Sequence, residues 1–181
     1  MLASLRIYLL KLDQKKAFAK TKRSKALIGI DQAKSIGILY MVGDEKDYIV
    51  ATNLFGGLQQ MKKEVRTLGF IDLQDLPHYC YPRLSFDYIS KPTMNWYKKP
   101  HGDKIRDFMN KDFDILLNLD TTQNPSLTYV YALSKAKFKI GIESPINKEF
   151  SDLMISTKST VDLPNLFEYM INYIKMFTEK K

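Results

Sequence analysis

Short apolar runs separated by stretches with helical spacing constrain this chain most. Ser35-Ile-Gly-Ile-Leu-Tyr-Met-Val42 is almost wholly apolar, carries no three-to-four-residue stripe and closes at Gly43-Asp44. Such a run suits a strand buried on both faces of a sheet. Lys63–Asp72, Phe113–Leu119 and Lys137–Ile142 repeat the pattern, and Phe86–Ile89 and Leu153–Ser156 are shorter candidates. The segments between them read as helices. Residues 45–60 carry Tyr48, Ile49, Leu54 and Leu58 around Gly56-Gly57, with Asp44 as a cap, and 103–109 place Ile105, Phe108 and Met109 on one face. Asn124-Pro125 supplies an N-cap followed by proline at the first helical position, for a helix to about Ala136. Asp162 caps a last helix whose Leu163, Leu166, Phe167, Met170, Ile171, Ile174 and Phe177 recur every three or four residues. Pro77, Pro82, Pro92 and Pro100 make 73–101 mostly irregular. Apolar strands alternating with helices predict a mainly parallel sheet of about five strands covered on both faces. The expected fold is α/β, a three-layer Rossmann-like domain over residues 35–181.

The 181 residues are 45% hydrophobic, enough for one core without disulfides or a structural metal. No apolar run approaches the ~20 residues that cross a bilayer. Cys80 is the one cysteine and no charged-then-apolar leader opens the chain, so the expected location is the cytoplasm.

Charge is segregated. Residues 1–35 hold nine basic side chains against two acidic ones, while the rest of the chain is nearly balanced at 19 against 18. Leu2, Leu5, Leu9 and Leu12 recur at helical spacing, so residues 1–34 read as a basic amphipathic helix followed by a basic tether. Three readings compete for this segment. The leucines dock on the domain and the lysines are merely solvated; or the helix lies on anionic lipid, peripheral to the inner membrane; or it meets nucleic-acid phosphates. For the last two, Lys11, Lys15, Lys16, Lys20, Lys22, Arg23 and Lys25 are the contact residues, and an acidic protein is a further partner of the same chemistry. A homodimer, with the leading helix of one chain packed on another, is a separate arrangement.

In an open parallel sheet, ligands bind beyond the carboxyl ends of the strands. Neither G-x-G-x-x-G nor G-x-x-x-x-G-K-[ST] occurs, so no nucleotide cofactor is expected. The best anion site is the helix start at Asn124, where free N–H groups are joined by the hydroxyls of Thr121, Thr122 and Ser126. Asp44, Asp72 and Asp120 also fall at strand ends, where they could act as acid/base groups or hold a divalent ion; capping helices and turns is the commoner role of such residues. His78, His101 and Cys80 are too few for zinc, and no metal is expected. Trp96, in Met94-Asn-Trp-Tyr-Lys-Lys-Pro-His101, is expected to cover a sheet edge rather than to stack on a base.

The order AKSIGILY, KKEVRTLGFID, NWYKKP, FDILLNLD, ALSKAKFKIGI and DLMI, behind a basic leader, resembles a family of short uncharacterised bacterial proteins over almost the whole chain. That resemblance implies no established activity. Residues 113–120 followed by 132–142 are similar to part of the amino-terminal half of heptosyltransferase-type glycosyltransferases. Those enzymes use a second Rossmann-like half to bind the nucleotide sugar, for which 181 residues leave no room. The first reading is therefore a non-catalytic interaction protein whose basic leader meets an anionic surface. The alternative is a domain that binds a nucleotide sugar or phosphorylated sugar at Thr121, Thr122 and Asn124.

Overall fold

The computed structural model describes residues 2–81, 83–157 and 161–178, so Pro82 and the Phe177 side chain, both named above, lie outside it. The chain runs α1 (Leu2–Phe18), β1 (Ser35–Met41), α2 (Glu45–Gln60), β2 (Glu64–Phe70), β3 (Phe86–Ile89), α3 (Asp103–Asn110), β4 (Ile115–Asn118), α4 (Pro125–Leu133), β5 (Phe138–Ile142), β6 (Leu153–Ile155) and α5 (Leu163–Thr178). Six strands, one more than expected, form a single sheet in the order β3-β2-β1-β4-β5-β6. Every pairing is parallel. The chain builds outward from β1 to β3, returns through α3 to β4, and builds outward on the other side. The order therefore reverses between β1 and β4, and in such sheets the ligand crevice is expected beyond the carboxyl ends of the two strands at the reversal.

Side chains alternate across the sheet, and each face is covered. Ile36, Ile38 and Tyr40 of β1 join Ile115 and Leu117 of β4 against Ala51 and Leu58 of α2 and Leu166, Met170 and Ile174 of α5. On the other face Leu39, Leu68, Phe70 and Leu116 meet Ile105 and Phe108 of α3 and Leu127, Val130 and Tyr131 of α4. Gly37 makes this second face possible in β1. A Cβ there would lie 2.9 Å from Leu116 Cδ1 and 3.0 Å from the Phe113 ring, so that one or both side chains would have to shift.

α4 departs from the simple three-layer picture. Ser126 through Ala132 are all buried, so this helix is covered on its outer side as well as by the sheet. An apolar-all-round helix needs that second cover. α1 supplies it, which adds a partial fourth layer. The segment before β1 is therefore packed against the domain from about Leu10 onward. Leu10 of α1 is 1% exposed and Gln14 is 7% exposed, while Ile30 and Ala33 of the following segment are each 1% exposed. The Ala26 N–H donates to the Lys137 carbonyl at 3.1 Å, which ties that segment to the start of β5.

Candidate functional site

The crevice expected to hold a ligand is largely occupied by the chain's own hydrogen bonds. Asp120 follows β4 and is 1% exposed. Its Oδ1 accepts from the Thr122 N–H at 2.8 Å and the Thr122 hydroxyl at 2.6 Å, and its Oδ2 accepts from the Asn124 N–H at 2.6 Å. The carboxylate is the clasp of its own turn, and Gln123 inside that turn adopts φ 56°. Asn124 Oδ1 then caps α4 by accepting from the Ser126 N–H at 2.9 Å and the Leu127 N–H at 3.3 Å. The Ser126 hydroxyl turns away to donate to the Lys98 carbonyl at 2.9 Å. Thus Asp120, Thr122, Asn124 and Ser126 are brought together as one local scaffold, with Thr121 exposed beside it.

Asp44 and Asp72 do not join them. Asp44 Oδ1 caps α2, accepting from the Lys46 N–H at 2.9 Å and the Asp47 N–H at 3.1 Å. Asp72 stands exposed two residues after β2. Among the described residues no three His, Cys, Asp or Glu side chains are placed to hold a metal ion.

The leading helix presents the more unusual surface, and it does so by docking opposite to the expected way. Its inward row is Leu10, Gln14 and Phe18, spaced four and four. Gln14 Nε2 donates to the Thr128 carbonyl at 3.2 Å, and the Phe18 ring meets the Phe150 ring edge-on at 5.0 Å. Three of the four leucines point away from the domain, Leu2 being 69% exposed, Leu5 48% and Leu12 39%, while Leu9 is half-buried. The reading in which these leucines dock on the core is overturned. Residues 2–8 are all exposed, Tyr8 included. Lys16 continues the outward row after Leu12, and Lys11, Lys15, Lys16, Lys20 and Lys22 are exposed with no ion pair among the described residues.

Arg23 leaves that basic set. Its NH1 and NH2 donate to the two oxygens of Asp152 at 2.7 and 2.6 Å, and NH1 also donates to the Ala136 carbonyl at 3.1 Å and the Lys137 carbonyl at 3.2 Å. Lys25 lies 3.6 Å from the same carboxylate but stays exposed. Asp152 also accepts the backbone N–H of Lys139 at 2.9 Å. The Lys139 side chain is fully buried, its Nζ donating to the Tyr131 and Ala132 carbonyls at 2.8 and 2.9 Å in the last turn of α4. Burial, reinforced by the nearby Arg23 charge, brings its pKa down to about 7.

One loop is fastened to the flank of α1. Asn95 Oδ1 accepts from the N–H groups of Tyr97 at 3.1 Å and Lys99 at 2.9 Å, and Lys98 adopts φ 66°, which folds residues 94–100 into a tight tip. Lys99 Nζ pairs with Asp13 of α1 at 2.8 Å, and the Tyr129 hydroxyl donates to the same carboxylate at 2.8 Å. Burial alone would raise the Asp13 pKa, but the hydrogen bonds from Lys99 and Tyr129 outweigh it and hold the carboxyl below its ordinary value. Trp96 at the tip is 60% exposed, so it does not cover a sheet edge as its residue type suggests.

A cleft of about 300 Å³ lies between α1 and the segment after β5, lined by Lys11, Gln14, Lys15, Ile146, Glu149 and Phe150 among others. A neighbouring opening of about 220 Å³ shares Lys11, Gln14 and Ile146 and reaches Gln123 and Thr128. Nothing in the order of residues signals this cleft, because the residues from α1 and from 145–150 meet only when α1 lies over α4.

Six parallel strands with a reversal between β1 and β4, helices on both faces and a basic covering helix define a Rossmann-like α/β domain with an added surface element. The chain belongs to a family of unknown function, DUF6913, which matches residues 6–177. No curated protein and no solved structure matches it. The likeness of residues 113–142 to heptosyltransferase-type enzymes has no counterpart in these comparisons. Among the described residues no helix is long and apolar enough to cross a membrane.

Proposed function

We propose that this protein is a non-catalytic interaction domain that docks the outer face of α1 on an anionic partner. The observation that supports this reading most is the outward leucine row, which leads into Lys16 and is flanked by lysines that form no ion pair among the described residues. A helix serving only as a cover would turn its leucines inward, as burial of each would be favourable by roughly 1.5–3 kcal/mol. Here that face is left for something outside the chain.

Deleting α1 would uncover α4, so the test is a surface substitution. Lys11, Lys15, Lys16 and Lys20 are replaced together by glutamine, and binding to anionic vesicles and to RNA is measured over a range of salt. The expected loss is at least about tenfold, with a shallower salt dependence than the unsubstituted protein. Equal binding by both proteins would remove the proposal.

The cleft under α1 supports a second reading as a site for a small anionic ligand, such as a phosphorylated sugar, because Lys11 and Lys15, which form no ion pair among the described residues, line it together with Ile146 and Phe150. A thermal-shift series with nucleotide sugars and sugar phosphates tests it. Ligand at a hundred times its Kd would add about 2.7 kcal/mol and raise the melting temperature, and Lys11→Ala with Lys15→Ala would abolish the rise. No shift with any of these ligands would exclude the reading.

A further inference from the structure

We infer that the partner of the α1 face is an anionic lipid bilayer, and that the loop carrying Trp96 enters the interface beside the helix. This rests on the docking proposal above and names its partner.

Three candidate partners of the basic face make different demands on the same surface. A nucleic acid would neutralise the lysines but offers little to cover Leu2, Leu5 and Leu12, because its outer surface is phosphate and sugar. A second copy of this chain could cover the leucines, yet it would set one basic helix against another. The helix has four basic side chains and one acidic one, and that acid, Asp13, is already paired with Lys99. An anionic bilayer satisfies both demands, since leucines enter the acyl boundary while lysines stay among the headgroups.

Apolar exposure also extends around the helix. Tyr8 is 60% exposed and Ile7 38% exposed, in addition to the leucine row. A narrow seam suits one partner helix, whereas a broad apolar surface bordered by cations suits a fluid interface.

The loop supplies an independent observation. Asp13 stands one turn after Leu9 and one turn before Lys16, on the flank of the outward row, and Lys99 fastens the loop at that point. Asn95 and the Ser126 bond to the Lys98 carbonyl hold the loop's shape, so its tip is a fixed projection. At that tip are Trp96, packed edge-on against Tyr97 at 5.3 Å, and the adjoining Lys98. A projecting tryptophan next to lysine is the side-chain pair that settles at the headgroup level, where the indole has an apolar body and a polar N–H to satisfy.

Trp96 is the only tryptophan in the chain, so its emission reports on this loop alone. The full chain is titrated with vesicles of phosphatidylcholine, with vesicles also containing phosphatidylglycerol, and with RNA. The anionic vesicles are expected to shift the emission to shorter wavelength, and lipids brominated along the acyl chain to quench it. Leu5→Asp with Leu12→Asp, both at exposed positions, should weaken vesicle binding by more than about tenfold with an unchanged melting temperature. Binding to anionic vesicles with no change in Trp96 emission would overturn the inference for the loop and leave the docking proposal intact. Binding to RNA but not to vesicles would overturn the lipid assignment and again leave docking intact. Failure to bind either would remove both.

Discussion

Replacing Arg23 with leucine is expected to destabilise the protein by about 3 kcal/mol, the cost of breaking a largely buried ion pair while one charge remains. The Arg23 and Asp152 side chains are 9% and 16% exposed, and the guanidinium also serves the Ala136 and Lys137 carbonyls. Removing it leaves Asp152 beside the buried Lys139 with only a backbone N–H and the solvent-exposed Lys25 at 3.6 Å. Urea unfolding of Arg23→Leu, Asp152→Leu and the double variant would measure this. The double variant should be less destabilised than the sum of the two singles, and simple additivity would show that the pair is not coupled. Burial would raise the Asp152 pKa, but the bonds from Arg23 and the Lys139 N–H outweigh it and hold the carboxyl below its ordinary value. The wild type therefore keeps this stabilisation above the ordinary carboxylate range and loses it as pH falls through the lowered value. Arg23→Leu should lack that acid limb.

A second large effect is expected at Lys139, in the alkaline direction. In the unfolded chain this amine titrates near the ordinary lysine value, whereas in the folded protein burial brings it down to about 7. Below pH 7 both states hold the proton and the slope is zero. Between 7 and the ordinary lysine value the unfolded state binds more protons, so stability rises with pH, by up to about 1.4 kcal/mol for each pH unit. A neutral amine still has two N–H groups for the Tyr131 and Ala132 carbonyls, so deprotonation keeps both hydrogen bonds. The urea midpoint of the wild type should increase from pH 7 to pH 9, while Lys139→Met should stay flat. Cys80, whose thiol burial pushes up from 9.0, acts in the opposite sense only near and above that value. A flat wild-type profile over this interval would contradict the assignment.

How far the site could be read from the letters varied by element. Asn124-Pro125 announced the start of α4, and Asp44 announced the start of α2, because a cap acts on neighbours two and three residues away. Residues 35–42, 113–119 and 137–142 marked β1, β4 and β5, since a strand covered on both faces has no polar side to show. What was not legible was the saturation of Asp120, whose Thr122 and Asn124 partners depend on the exact path of one turn. Nor could Trp96 be placed, because burial statistics for its residue type say nothing of a loop held by Asn95 and Lys99.

The leading helix draws the line most clearly. From its letters alone come the helix itself, the four leucines at three and four residue spacing and the surplus of lysine, all local properties of period and composition. Its orientation required the rest of the fold. α4 is buried on every side, and its surface with the neighbouring Phe150 accepts Leu10, Gln14 and Phe18 through a side-chain amide bond to the Thr128 carbonyl and an aromatic contact. Those partners lie more than a hundred residues away in the chain, and which face of a two-faced helix is buried depends on them. The sequence by itself determined an alternating, parallel α/β domain with a basic helix in front. Only the tertiary structure decided that the leucines look outward.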